Sequence, residues 1–204
     1  MILIGQYDSP FVRRVAIAMR LYGLPFEHEP WSTFGDRDRI AEFNPLSRVP
    51  TLVLDDGDVV IESAAILDYL DEIAVGKPPL VAQKGIERRQ ALKICALSTG
   101  LADKAVSLLY EGLLRSEKSS VWVERCETQI ARVLDVLESD LAEMISEMPI
   151  SRRLVRFAFC ARRIQASLMS RNIRHWLVWQ LDAKRWHLSR RSFSLWCRHL
   201  HDTV

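Results

Sequence analysis

Glycine stops at Gly112 and proline at Pro149, although this 204-residue chain contains eight of each. The breakers that separate secondary-structure elements are therefore confined to the first part of the chain. Cysteine is sparse: Cys95, Cys126, Cys160 and Cys197 stand more than 30 residues apart with no C-x-x-C pair. That spacing excludes the usual zinc and dithiol motifs and makes reduced thiols the expectation. No apolar run approaches the roughly 18 residues a membrane span needs, and Met1-Ile2-Leu3-Ile4 lacks the basic start of a secretory leader. The expected location is the cytoplasm. No internal repeat or low-complexity segment is evident.

Acidic residues run short at one end. Residues 1–149 hold 16 Lys+Arg against 24 Asp+Glu, a net of −8, whereas residues 150–204 hold 12 against 2, a net of +10. The overall charge of +2 hides that split, and four of the six tryptophans also fall after residue 150. At 49% hydrophobic and 26% charged, the chain has the balance of an ordinary globular protein, long enough for a real core.

What is present reads first as a small α/β unit. Ile2 to Tyr7 suggests a short strand, and Ser9-Pro10 a helix start, with Ser9 as N-cap and Pro10 in the first turn. Phe11, Val12, Val15, Ala16, Ala18, Met19 and Tyr22 continue at helical spacing until Gly23. A second strand over Leu24–Pro30 and a short polar helix over Asp36–Phe43 follow. Thr51 to Leu54 and Val59 to Ile61 form a hairpin across Asp55-Asp56-Gly57-Asp58. Ser63 then reads as the N-cap of a helix reaching about Ala74. The predicted order is β-α-β-α-β-β-α over residues 1–75, a thioredoxin-like arrangement with an antiparallel edge hairpin. A breaker-rich linker at 76–85 leads to an all-α region at 86–148, with two long helices. One carries Leu92, Cys95, Ala96, Thr99, Ala102, Val106, Leu109 and Leu113, the other Ile130, Val133, Leu134, Leu137 and Leu141. Residues 149–204 form an atypical basic tail.

Asn44 to Leu54 organises the rest. Pro50 has no amide hydrogen and holds the preceding residue extended, so Val49 offers its backbone as a docking edge for a peptide. Glu62-Ser63, where a strand hands over to a helix, gathers free N–H groups and the positive end of a helix dipole, which suits a carboxylate.

Val49-Pro50 and Glu62-Ser63 at this separation resemble the glutathione site of the glutathione transferase family, over about residues 1–145. In that family a cis-proline follows the residue that pairs with the cysteinyl backbone, and an acidic residue plus serine hold the γ-glutamyl end. The resemblance implies a serine-type, bacterial-like cytosolic transferase of detoxification type that conjugates glutathione, as co-substrate and without a metal, to a small hydrophobic electrophile. It also implies a homodimer; with no membrane-length apolar run and no recognised nucleic-acid-binding motif, neither a membrane nor a nucleic-acid partner is expected. Ser9-Pro10-Phe11 resembles the element that places a serine hydroxyl on the thiol. Serine is too weak an acid to be the base, so Ser9 would donate a hydrogen bond to sulfur. The plainer alternative is a helix cap alone. Tyr7 is the rival donor, or else a strand aromatic. The thiol-transfer branches of the family carry cysteine where this chain has Ser9, so disulfide exchange lacks its nucleophile.

By the same resemblance Arg48 lies near the glycyl carboxylate, or is a solvated surface arginine. Trp31 and Phe34 wall the glutathione cleft, and Phe11, Leu108 and Tyr110 line the electrophile pocket or pack the core. His28 reads as an ordinary strand histidine, and Cys95 and Cys126 as core. The tail lacks the capping-box helix of the family and alternates Arg pairs with tryptophans and histidines in no steady period. It reads as the product of a shifted reading frame near 145–150, with a basic nucleic-acid or membrane-surface arm as the alternative. A non-catalytic transferase-like binding or regulatory module, or an inactive product of a frame-shifted gene, is the competing account of the whole chain.

Overall fold

A computed structural model describes residues 1–147; residue 148 and the basic tail at 149–204 lie outside the described residues. The chain begins β1 (Ile2–Ile4), α1 (Pro10–Tyr22), β2 (Glu27–Glu29), α2 (Arg37–Ala41), β3 (Thr51–Val53), β4 (Val59–Ile61) and α3 (Ser63–Ile73). This is the predicted β-α-β-α-β-β-α order. Two long helices follow, α4 (Gly85–Leu114) and α5 (Ser120–Glu147). The sheet runs β2-β1-β3-β4, with β1 parallel to β2 and the other neighbours antiparallel.

Sequence chemistry accounts for the boundaries. Ser9 accepts from the Val12 N–H and Pro10 follows at the first helical position, where its missing N–H costs nothing. Gly23 closes α1 at φ 68°, and Leu24 N–H donates to Met19 O at 2.9 Å, which satisfies carbonyls the helix leaves open. Leu3 on β1 and Leu52 on β3 are register partners and point to the same face. With Val12, Val15, Met19, Ile66 and Leu70 from α1 and α3, they form a core from which solvent is excluded. Each such side chain contributes about 1.5–3 kcal/mol relative to exposure.

Two details differ from the sequence reading. Ser63 is the first residue of α3 and not its cap; Glu62 occupies the cap position at φ 68°, with no side-chain cap bond. On α4 the buried stripe is Ala91, Ile94, Ser98, Leu101, Ala102 and Ala105, one residue out of step with the expected Leu92-to-Leu113 stripe. Leu92 and Leu113 are exposed. On α5, Cys126, Ile130 and Leu137 are buried in turn. The turn between the helices is tied by buried Glu111, which accepts from Ser119 N–H at 2.8 Å and pairs with Arg115 at 3.2 Å.

Candidate functional site

Sheet register brings four chain segments to one end. Ile4 lies opposite Thr51, Thr51 opposite Ile61, and Ile4 beside Glu29. The segment from β1 to Ser9, the Val49-Pro50 approach to β3, the β4 exit at Glu62-Ser63 and the β2 exit at Trp31 therefore all leave that same end.

Ser9 is half-buried, with its Oγ 3.4 Å from the Val12 N–H. The hydroxyl accepts there, and acceptance leaves its own hydrogen available, so capping and donation to a ligand are compatible. The turn before it is closed by Ser9 N–H to Gln6 O at 3.2 Å.

The Val49–Pro50 peptide is cis. Its loop is braced by two residues the sequence reading passed over. Asn44 is buried and donates through Nδ2 to Arg48 O at 2.9 Å and Thr51 Oγ1 at 3.1 Å, while its Oδ1 accepts from Leu46 N–H at 3.0 Å. Thr51 Oγ1 donates to Arg48 O at 3.1 Å. Gly5 is a third: at φ 130°, a Cβ there would lie 2.6 Å from Val12 Cγ2 and 2.7 Å from Val49 Cβ. Only glycine lets the β1 exit and the cis-proline loop touch.

Arg48 joins that loop to the start of α3 through an ion pair with Glu62 at 3.1 Å. Both partners are more than half exposed, so the pair itself adds little stability. Its position matters more. Arg48, expected near the glycyl carboxylate, and Glu62, expected at the γ-glutamyl end, are in contact with each other. Glu62 holds a positive φ that a non-glycine residue seldom adopts, and Ser63 behind it is buried. The first N–H groups of α3 have no intrahelical partner, as at any helix start.

The aromatic residues divide into two groups. Trp31 donates to Glu29 Oε2 at 2.9 Å, lies under the Arg39 guanidinium at 4.1 Å and packs on Phe43 at 5.9 Å. Its ring is taken up by the β2–α2 connection. Phe34, 60% exposed, meets Tyr110 of α4 edge to face at 5.6 Å. A residue expected on the glutathione cleft thus touches one expected in the electrophile pocket. Phe11 and Leu108 are half-buried. Tyr7 stacks on His28 at 3.9 Å, which turns a histidine read as ordinary into a neighbour of the Ser9 segment. Cys126 is buried and Cys95 half-buried on α4; burial pushes the Cys95 thiol up, against the opposing pull of the Arg14 guanidinium. That environment keeps it protonated. Among the described residues, no group of His, Cys, Asp and Glu is arranged to hold a metal ion, and no helix is long and apolar enough to cross a membrane.

The class is thus a thioredoxin-like α/β unit followed by a helical pair, with a peptide-edge loop and an acidic helix start at one end of the sheet. Residues 3–78 match the glutathione S-transferase N-terminal domain family. The uncharacterized GST-like protein YibF of Escherichia coli K12 is 33% identical over 142 residues, 69% of this chain and 70% of that protein. Glutathione S-transferase U6 of Arabidopsis thaliana is 28% identical over 141 residues, 69% of this chain and 60% of that protein. A Pseudomonas fluorescens Pf-5 glutathione transferase family member, solved with bound glutathione, superposes with a TM-score of 0.71 at 29% identity, covering 91% of this chain and 95% of that one. The chain belongs to the glutathione S-transferase family.

Proposed function

We propose that this protein binds glutathione at the open end of its sheet and conjugates the thiol to a small apolar electrophile. The observation that carries this reading is the convergence of Ser9, Val49 and Glu62-Ser63 at one sheet end, linked by the Gly5–Val49 and Arg48–Glu62 contacts. Glutathione in the related Pseudomonas structure supports it.

In this reading the Val49 backbone pairs with the cysteinyl residue, and the Glu62 carboxylate takes the α-ammonium of the γ-glutamyl end. Ser63 and the α3 N-terminus take the neighbouring carboxylate, with Arg48 beside them rather than at the glycyl end. Ser9 keeps its cap bond to Val12 and donates its hydrogen to sulfur. A free thiol has a pKa near 8.5, so only about 3% is thiolate at pH 7; each unit removed is worth about 1.36 kcal/mol. Sulfur then forms the new C–S bond as the leaving group departs with its electron pair. Phe34 and Tyr110 border the cleft, and Phe11, Leu108 and Tyr110 face the electrophile. A cytoplasmic homodimer belongs to the same reading.

The cap contact of Ser9 also favours a second reading, a binding module without turnover. Calorimetric titration with glutathione, beside a chlorodinitrobenzene assay, separates the two. Ser9→Ala should keep affinity and lose about 10²-fold in kcat, the scale of one transition-state donor, while Glu62→Gln should lose affinity. Binding without turnover selects the module; unchanged turnover in Ser9→Ala removes the role given to serine.

A further inference from the structure

Between Ile4 and Ser9 the chain is held from the β2 side by His28. Its Nε2 lies 2.8 Å from Gly5 O, and its ring is stacked on Tyr7 at 3.9 Å with 12° between the planes. A carbonyl oxygen only accepts, so Nε2 carries the hydrogen, and it does so in both protonation states of the ring. Gly5 N–H donates to Glu29 O at 2.8 Å, so residues 28 and 29 grip both backbone groups of Gly5. Gly5 in turn abuts Val49. Further along the segment, Ser9 N–H closes its turn on Gln6 O, and Ser9 Oγ accepts the Val12 N–H.

We infer that His28 is a positioning residue for the reaction: through Gly5 and Tyr7 it fixes the path of the segment that presents the Ser9 hydroxyl. This rests on the reading of Ser9 as the donor to the glutathione thiol. His28 need not touch glutathione, because both its contacts are to the Gly5–Tyr7 segment. Its loss should therefore act on the thiol's ionisation and on kcat, and leave the Val49 and Glu62-Ser63 contacts that hold glutathione.

The test uses the full chain and three variants. His28→Phe keeps a ring for Tyr7 but has no donor, His28→Gln offers an amide donor to Gly5 O, and Ser9→Ala is the reference. The readouts are the pKa of the bound glutathione thiol, followed by thiolate absorbance against pH, and the split between kcat and KM with chlorodinitrobenzene. His28→Phe should raise the thiol pKa towards that of Ser9→Ala and lower kcat about tenfold, the scale of a sub-ångström misplacement, with KM for glutathione within about twofold. His28→Gln should recover most of both. If Ser9→Ala moves the thiol pKa and His28→Phe does not, or if His28→Phe changes KM alone, the positioning role is overturned. If Ser9→Ala itself leaves the thiol pKa unmoved, the serine reading fails and takes this inference with it.

Discussion

In residues 1–78 the apolar side chains of a sheet and two helices meet in the middle, and Leu3, Val12, Val15, Met19, Leu52, Ile66 and Leu70 are wholly enclosed. Among the described residues of α4 and α5 the buried apolar ones are fewer and half of them small, with Ala91, Ile94, Leu101, Ala102 and Ala105 on one helix and Cys126, Ile130 and Leu137 on the other, while Leu113, Leu114, Val121 and Val136 stay exposed. The first region packs two helices and a sheet around one shared core; the second rests on how two helices lie along each other. The strand ends that the sheet register gathers belong to the first region, and the second meets that region at Phe34 through Tyr110.

The largest effect should come from forcing apart the tightest contact in the α/β unit. Gly5→Ala sets a methyl against Val12 and Val49 at a strained φ, and should cost about 4 kcal/mol in urea unfolding and abolish retention on glutathione-agarose. Next, Leu52→Ala should cost about 3 kcal/mol, whereas Leu113→Ala on α4 should stay within about 0.5 kcal/mol. Equal losses at the two positions would erase the contrast. Asn44→Ala should cost about 2 kcal/mol, because Leu46 N–H loses its acceptor and Arg48 O one of its donors; glutathione titration should weaken with it.

The smallest effect lies in the helical pair. Burial raises the Cys95 thiol above its ordinary pKa, so on raising the pH the unfolded chain loses that proton first. Its contribution to stability is complete below the unfolded value of about 8.5 and is lost as pH climbs towards the folded one. Urea unfolding of Cys95→Ala should show a flatter decline between pH 7 and about 9.5 than the parent. An unchanged slope would assign the decline to other groups.

Where a residue's role is written in local chemistry, the sequence suffices. Ser9-Pro10 and Gly23 delimit α1 by their own backbone preferences, and the hairpin follows from its Asp-Asp-Gly-Asp turn. Roles defined by partners distant in the chain stay hidden. Asn44 looks like any loop asparagine until Arg48 O and Thr51 Oγ1 close around it. His28 sits in a short strand with nothing nearby to mark its bond across to Gly5, 23 residues away. Glu62 reads as the residue before a cap because a positive φ at glutamate has no sequence signature. The α4 stripe falls one position from its expected place because its buried positions include alanines and a serine, which carry little weight in a hydrophobic pattern.

Tyr22 bears on how far the two regions can move apart. Its hydroxyl donates to Asp71 on α3 and accepts Leu80 N–H at 2.7 Å, so one phenolic oxygen at the end of α1 ties down the connecting peptide. Only Val81 to Lys84 separate that anchor from the first turn of α4, a slack of about 14 Å at full extension. The breaker-rich stretch after α3 is thus fastened, a few residues before α4 begins, to both α1 and α3 of the first unit through a single phenolic oxygen.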